Sequence, residues 1–374
     1  MLDFLYFSAI LSRQNSRFFY FVKKFELLVK SIFKPLIFKT FCNCRPKIIN
    51  GQEVDFTSNV RKILILRQDR IGDLLVSVPF LRALRNHLPT STIHILLSYR
   101  NLVAKSCILN YVDQVFCFPK NIISGLILVY KLRRQKYDLV IDLFDNPSFT
   151  SSFVINFIKP RFSLGFDKEN RKVYTHIVFL PNKMDFHIID RICFLLIAFG
   201  IEIEKVQKNL EYPVKENTNK LIKKGEKRVG VVLTGSTKSK FWGLENFYSL
   251  IRLIISNYPF EIIIFPTYEL RKELSKFQTL ENVYIAPINQ NFDEFAEMIS
   301  ECDFLVSPDT SVVHLASAFN IPIVVFYQFI GEKYGMPWYP YKTRFKAILS
   351  KEDSYTDISP LAVFSKFCDL VEGK

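Results

Sequence analysis

The sequence lacks the glycine-rich signatures of the commonest nucleotide-binding folds. No G-x-G-x-x-G occurs in residues 60–71, which contain the first predicted strand and the turn after it. A dinucleotide oxidoreductase is therefore a weak candidate. The polar loop at residues 234–242 lacks the Walker spacing of glycine and lysine, so it is not a P-loop. No Asp-x-Asp pair is present to carry a metal-bound diphosphate. We therefore predict no obligatory metal.

Other features are scarce as well. No uncharged run in residues 1–50 approaches the roughly 20 residues that a membrane-spanning helix needs, and a cleavable signal peptide is not expected there. The seven cysteines are odd in number and scattered, which fits a reduced protein better than a disulfide framework. The pair Cys42 and Cys44 has no second pair or nearby histidine, which disfavours a zinc site.

What the chain has in excess is positive charge. Its 374 residues carry a net charge of +14, and 49% of them are apolar, so two domains with sizeable cores and an anionic partner are expected. Residues 1–50 hold nine Lys/Arg against two acidic residues, that is +7, interleaved with bulky apolar side chains. This mixture is typical of a helix on an anionic membrane surface. The alternative is a helical extension packed on the body.

From residue 61 apolar strand patterns alternate with helix patterns, which predicts doubly wound parallel sheets. The lysine-rich stretch at 205–227 interrupts this alternation, and the pattern then restarts. We predict an α/β protein of two Rossmann-like domains facing each other across a cleft, with a basic helical N-terminal extension. The predicted boundaries are 1–58 for the extension, 59–210 and 228–374 for the two domains, and 211–227 for the linker.

The first candidate constellation is Arg67-Gln-Asp-Arg-Ile-Gly-Asp73, at the carboxyl end of the first strand. Gly72 permits a tight turn close to a ligand. Asp73 either takes a proton from a hydroxyl or simply caps the helix that follows. Arg67 and Arg70 either bind phosphates or carboxylates of a substrate or are ordinary surface charges.

A second constellation, Thr234-Gly-Ser-Thr-Lys-Ser-Lys-Phe-Trp242, lies between a strand and a helix. Gly235, Ser236 and Thr237 offer backbone and hydroxyl donors, and Lys240 offers a positive charge. Such a loop can neutralise a diphosphate leaving group, or it is a solvated polar loop.

The third constellation, Ser307 to Phe326, reads as strand, tight loop, helix and strand. Unpaired backbone N–H groups and the positive end of a helix dipole converge there, which suits a phosphate. His314, five residues after Asp309, is either a ligand contact or a packed residue. Glu269, at the end of another strand, either binds ribose hydroxyls or lies on the surface.

Six segments together resemble the heptosyltransferases of lipopolysaccharide core assembly, glycosyltransferase family nine. They occur in the family's order over about residues 60 to 330: Ile63 to Leu84, Tyr137-Asp-Leu-Val-Ile-Asp-Leu143, Leu164-Gly-Phe166, His187-Ile-Ile-Asp-Arg191, Leu233 to Trp242, and Asp309-Thr-Ser-Val-Val-His-Leu-Ala316.

The resemblance implies a GT-B architecture with the acceptor on the N-terminal domain and the nucleotide sugar on the C-terminal one. Asp73 matches the family's general base in an inverting transfer. The matches to its diphosphate and nucleotide loops are Ser236, Thr237, Lys240, Asp309, Thr310, Ser311 and His314. Glu269, or Tyr268 beside it, matches the ribose-binding acidic residue. The usual donor is ADP-L-glycero-β-D-manno-heptose.

The chain departs from the family pattern at three places. Ser311 replaces a usual glycine, Tyr327-Gln328 stands where a glycine follows a strand, and Phe265-Pro266 replaces Gly-Gly. These departures concern the identity of the donor rather than the transfer reaction.

The leading hypothesis is a cytoplasmic heptosyltransferase, peripheral on the inner membrane, that acts on a lipid A–Kdo or core oligosaccharide acceptor. An anionic, lipid-linked acceptor would account for the +14 charge. The alternatives are a family member that uses another nucleotide sugar, and a non-catalytic membrane-surface protein that retains the fold. Nucleic-acid binding is disfavoured, because the basic excess is mixed with bulky aliphatic residues.

Overall fold

The computed structural model describes residues 44–50, 56, 60–214, 227–235, 237–288, 290–328, 337–352 and 354–373. Within them, seven parallel strands form a first sheet in the order β1-β7-β6-β5-β2-β3-β4. Its strands are β1 (Lys47–Ile49), β2 (Lys62–Arg67), β3 (Thr92–Ser98), β4 (Gln114–Phe118), β5 (Leu139–Asp142), β6 (Phe162–Phe166) and β7 (His176–Val178). The central strand β2 is almost entirely buried, as its continuous apolar run predicts.

The second sheet has six parallel strands in the order β10-β9-β8-β11-β12-β13. They are β8 (Arg228–Val232), β9 (Glu261–Phe265), β10 (Val283–Ile285), β11 (Phe304–Pro308), β12 (Ile323–Gln328) and β13 (Phe345–Ser350). Two all-parallel sheets with helical crossovers confirm the predicted pair of doubly wound domains.

Helices cover both faces of each sheet. They are α1 (Ile71–Leu75), α2 (Val78–His87), α3 (Ile122–Arg134), α4 (Phe149–Ile158), α5 (Ile188–Cys193), α6 (Leu244–Asn257), α7 (Phe292–Ser300), α8 (Val312–Phe319) and α9 (Pro360–Val371). Residues of α3 and α4 share one core with the first sheet, and α6 and α9 share another with the second. The remaining core holds α1, α2, α5, α7 and α8 together. The two domains therefore meet through their inner helices.

The apolar periodicity predicts helices over residues 74–88, 187–199 (ended by Gly200) and 270–277, and all three differ from the observed ones. The pattern from Leu74 to Leu88 forms α1 and α2 rather than one helix, because a proline is accommodated only in the first turn and Pro79 restarts the helix there. The segment 187–199 is α5 followed by a 3₁₀ helix, and Gly200 ends it with φ 73° as predicted. Residues 270–277 hold only 3₁₀ turns, since Leu274 and Phe277, three apart, are the buried pair.

Part of the predicted extension is wrong in detail. Residues 47–49 form β1, which pairs with β7 of the first sheet, and Phe56 is buried in the core. The first domain thus begins before residue 59, because this short strand completes the sheet edge. Residues 1–43 and 215–226, which hold most of the extension and linker, lie outside the described residues. No helix in the described ranges has the length and apolarity to cross a membrane.

Candidate active site

The first candidate site lies where the order of the first sheet reverses. From β2 the chain adds β3 and then β4 on one side. It then crosses back and adds β5 on the other side of β2. A crevice at such a switch point, at the carboxyl ends of the strands, is the usual ligand site of this architecture. Arg67 spans it: Nη1 donates to the Leu143 carbonyl at 3.0 Å and Nε to the Asp73 carbonyl at 2.9 Å.

Asp73 lies next to this arginine. One carboxylate oxygen accepts the backbone N–H of Arg70 at 3.0 Å, and the other is 3.5 Å from Arg67 Nη2. The carboxylate therefore caps α1, as one of the two sequence hypotheses held. Its side chain is still 16% exposed, and each carboxylate oxygen can accept more than one hydrogen bond. Capping consequently leaves room for a proton-accepting role.

The two arginines of this loop occupy different environments. Arg67 is 1% exposed and its guanidinium is used inside the protein, so it underlies the site rather than lining it. Arg70 is exposed beside Asp73. Of the two, Arg70 is the cation that an incoming substrate can reach.

Sequence reasoning missed a second carboxylate in the same loop. Asp69 is 3.2 Å from Arg67 Nη1, and burial, opposed by the Arg67 charge and helped by Asp73, raises its pKa to about 7. Its carbonyl accepts Ser98 Oγ at 3.0 Å, and Asn101 donates to the Arg67 carbonyl at 2.7 Å. Position in the chain could have pointed to Asp69. It follows the end of β2 by two residues, and its contact Ser98 ends β3, the neighbouring strand.

Gly72 joins this loop to the second domain. A Cβ added there would lie 3.1 Å from His314 Cδ2 and 3.9 Å from Ser311 Cα. The predicted reason for the glycine was a tight turn, but Gly72 lies inside α1 and its φ is not positive. The glycine instead lets the two domains approach each other closely here.

The second domain has its own switch point, between β8 and β11. Lys240 follows β8 and Asp309 follows β11; the ammonium forms an ion pair with the carboxylate and donates to the Asp309 carbonyl at 3.1 Å. A Cβ at Gly235 would clash with Lys240, so glycine is required for the loop to fold back. The backbone carbonyl of Thr237 accepts the backbone N–H of Lys240 at 3.0 Å, and Thr237 is exposed. Ser236 lies outside the described residues.

The loop between β11 and α8 adopts the predicted strand–turn–helix. Thr310 Oγ1 accepts the Val312 N–H at 3.1 Å, and Ser311 occupies the N-cap position without a side-chain cap bond. Asp309, Thr310 and Ser311 therefore lie at the amino end of α8, beside Lys240. This arrangement suits an anion, because the helix dipole and the ammonium act together there.

His314 is buried within α8. It is 4% exposed, and burial lowers its pKa to about 3. The imidazole is therefore neutral at physiological pH, and any stabilisation of negative charge by this residue must come from a hydrogen bond rather than a cation. Its Nδ1 has no hydrogen-bond partner in the described part of the chain.

Glu269 lies at the carboxyl end of β9, in an exposed 3₁₀ turn. A backbone hydrogen bond, with help from Thr267, lowers the pKa of its carboxyl group. Tyr268 is also exposed, and the Arg271 guanidinium stacks on its ring at 3.7 Å. Both residues share the sheet edge with Lys240, and the ribose-binding role of Glu269 stays a prediction.

Buried polar atoms without a hydrogen-bond partner concentrate around the first switch point. In the described residues they include both amide atoms of Gln68, Asp69 Oδ1 and His314 Nδ1. Arg67 Nη2 also lacks a hydrogen bond, although it has an ion-pair contact with Asp73 at 3.5 Å. Buried polar groups in proteins are almost always hydrogen-bonded. Four such atoms in one loop and a fifth on the histidine facing it indicate a place for a polar substrate. No group of three or more potential metal ligands occurs in the described ranges.

Comparison with known proteins agrees with this geometry. The family model of glycosyltransferase family 9 (heptosyltransferase) matches residues 126–364. This chain belongs to glycosyltransferase family 9. The predicted family membership and enzyme class, a glycosyltransferase, are thereby confirmed.

The relatives and solved structures to which the chain is similar include three with identities of 25% or less. The putative lipopolysaccharide heptosyltransferase 4 of Escherichia coli K12 is 25% identical over 296 residues, 75% of this chain and 77% of that protein. A family 9 glycosyltransferase structure from Veillonella parvula has TM-score 0.69 at 17% identity, covering 86% of this chain and 99% of that one. Escherichia coli heptosyltransferase WaaC with ADP-2-deoxy-2-fluoro heptose has TM-score 0.65 at 16% identity, covering 84% and 100%. These structural matches support the GT-B fold.

Proposed function

We propose that this protein is an inverting heptosyltransferase that transfers heptose from ADP-L-glycero-β-D-manno-heptose to a lipid A–Kdo or core oligosaccharide acceptor. The supporting observation is the juxtaposition of the Asp73 loop with the Lys240–Asp309 switch point through the contact of Gly72 with His314. Curated relatives are lipopolysaccharide heptosyltransferases, and WaaC has been crystallised with an ADP-heptose analogue.

In the proposed reaction Asp73 accepts the proton of an acceptor hydroxyl while that oxygen attacks C1 of the sugar. General-base catalysis of this kind contributes roughly 10²–10⁴-fold. Arg67 acts as a positioning residue, since it holds both the backbone and the carboxylate of Asp73. Arg70, exposed beside Asp73, attracts anionic groups of the acceptor.

Negative charge then develops on the departing ADP. Lys240 and the N–H groups at the start of α8 stabilise it, with Thr310 and Ser311 lining the same loop. Asp309 holds the ammonium of Lys240 in place. A neutral His314 contributes by packing against Gly72. No metal takes part in this proposal. Because the acceptor is lipid-linked, the enzyme works at the cytoplasmic face of the inner membrane.

A donor screen tests the substrate. Purified protein is incubated with a lipid A–Kdo acceptor and ADP-heptose or a panel of ADP-, UDP- and GDP-sugars, and release of nucleoside diphosphate is measured. We expect turnover with ADP-heptose. Consumption of another nucleotide sugar instead would reject the donor assignment and favour the alternative activity within the family.

A substitution tests the base. Asp73→Asn is expected to lower kcat by about 10²–10⁴-fold while ADP binding, measured by calorimetry, stays unchanged. Glu202→Gln removes an exposed carboxylate and serves as the matched control. Undiminished turnover by D73N would eliminate Asp73 as the base, and inactivity of the wild-type protein with every sugar would favour a non-catalytic role.

A further inference from the structure

Helix α3 has an unusual outer face. Five large apolar side chains on it are 46–78% exposed: Ile122, Ile123, Leu126, Ile127 and Tyr130. A surface helix of a globular protein normally presents polar residues outward. Contiguous exposed apolar surface of this kind marks an interaction site.

The exposed residues form one stripe. At 3.6 residues per turn, positions 122, 123, 126, 127 and 130 fall within a sector of about 140°. The inner face is separate, since Gly125, Val129 and Leu132 are buried against the first sheet. The fold itself therefore does not need the outer stripe.

Charge along this stretch of the chain has a single sign. Between Asp113 and Asp138 the sequence has five basic residues and no acidic residue. The basic residues are Lys120, Lys131, Arg133, Arg134 and Lys136. Arg134 lies over the ring of Tyr130 at 6.0 Å. An apolar stripe with a cationic border is complementary to an anionic lipid surface, where bulky side chains enter the interface and cations meet the headgroups.

The same charge argues against two other occupants. A second copy docking through this face would place the two sets of cations against each other. Residues 1–43 carry seven Lys/Arg against two acidic residues, so that segment is repelled as well. The thirteen-residue helix is too short to span a bilayer, which favours contact with the surface.

The location of α3 fits a lipid-linked acceptor. The helix starts after the carboxyl end of β4, at the sheet edge that also holds Arg67 and Asp73. Tyr99, which follows β3 at that edge, is 42% exposed, and Lys120 Nζ lies 4.1 Å from its ring centroid. Cations and apolar groups thus continue from the helix toward the first switch point.

We propose that the outer face of α3 binds the surface of an anionic bilayer and so presents the first switch point to an acceptor embedded in it. Access to a lipid-linked acceptor, the reason for such binding, rests on the proposed function. The binding of α3 to the bilayer does not depend on it. This surface is distinct from residues 1–50, the segment for which the sequence predicted membrane contact.

Flotation with vesicles tests the proposal on the full chain. Vesicles of phosphatidylethanolamine and phosphatidylglycerol (3:1) are compared with pure phosphatidylcholine. We expect wild-type binding to the anionic vesicles only. The double variant I123S/I127S, and separately K131Q/R134Q, should weaken that binding at least tenfold. The matched controls are F179S/L361S, which removes two other exposed apolar side chains, and K105Q/K205Q.

Unchanged flotation of both α3 variants would overturn the proposal and shift membrane contact to another part of the chain. A wild-type dimer that becomes monomeric in I123S/I127S, measured by analytical ultracentrifugation, would also overturn it by identifying a second copy as the occupant. Turnover of a deacylated, water-soluble acceptor should be equal in wild type and variants. Failure of that reaction in the wild type would reject the proposed function and leave the flotation result intact.

Discussion

The two switch points differ in how firmly their cations are held. Arg67 is 1% exposed and bonded to groups on both sides of the crevice. Lys240 is 17% exposed and its partner Asp309 is 32% exposed. A group that abstracts a proton must be fixed to a fraction of an ångström, whereas a diphosphate must enter and leave. The buried Arg67 is therefore suited to holding the base Asp73 in place. The more open Lys240 is suited to binding and releasing a diphosphate.

The largest expected effect breaks the first switch point. Arg67→Met leaves Asp69 and Asp73 without their shared cation in a buried setting, and loss of one partner of a buried pair costs about 3–5 kcal/mol. Urea unfolding should show this loss. Arg100→Met, at the exposed end of the neighbouring strand, should change the unfolding free energy by less than about 0.5 kcal/mol. Equal stabilities of R67M and R100M would contradict the comparison.

The second switch point should respond in catalysis rather than stability. Lys240→Met removes one preorganised positive charge that stabilises the leaving group. Comparable losses raise the barrier by roughly 2.7–4 kcal/mol, which lowers kcat by about 10²–10³-fold. Its unfolding midpoint should stay near that of the control Lys276→Met, another part-exposed lysine paired with a carboxylate. If K240M loses stability as R67M does, the two switch points are alike.

The pH dependence of stability should have opposite signs in the two domains. The pKa of Asp69 is raised to about 7, so the folded state holds the extra proton and stability falls as pH rises from about 4 to 7. The pKa of His314 is lowered to about 3, so stability falls as pH drops below about 6.5. Each effect is at most about 1.4 kcal/mol per pH unit.

Two variants separate these contributions. In urea unfolding measured from pH 5 to 8, Asp69→Asn should reduce the loss of stability on raising the pH. His314→Gln should reduce the loss of stability on lowering the pH. Curves parallel to that of the wild type in both variants would show that neither group titrates as described.

The smallest effect concerns the contact between the domains. Gly72→Ala places a methyl group 3.1 Å from the His314 ring, while alanine favours the helix by roughly 0.8–1.0 kcal/mol. These terms offset, so stability should change by less than about 1 kcal/mol. A double-mutant cycle with His314→Ala should give a coupling energy of about 0.5 kcal/mol or more. Additive effects would show that the two residues do not meet.

Local pattern predicted much of the fold correctly. The apolar periodicity predicts helices at 122–134, 244–257 and 312–319 and strands at 114–118 and 261–265. These are the bounds of α3, α6, α8, β4 and β9, because each of these segments buries one continuous face. The sequence was misleading where a short-range feature competed, as at Pro79, or where a short strand of three residues joined a sheet edge, as at β1. Three residues provide too little pattern to distinguish a strand from an extension.

The sequence alone determined that this chain forms two parallel α/β domains, belongs to glycosyltransferase family 9, and carries Asp73, Lys240 and Asp309 in the segments that follow strands. Only the tertiary structure decided that Arg67 is buried and that Asp69 and Asp73 both contact its guanidinium. It also decided that His314 is a neutral imidazole packed near Gly72, and that α3 exposes an apolar face. Burial and charge coupling depend on side chains far apart in the chain, so no local pattern encodes them.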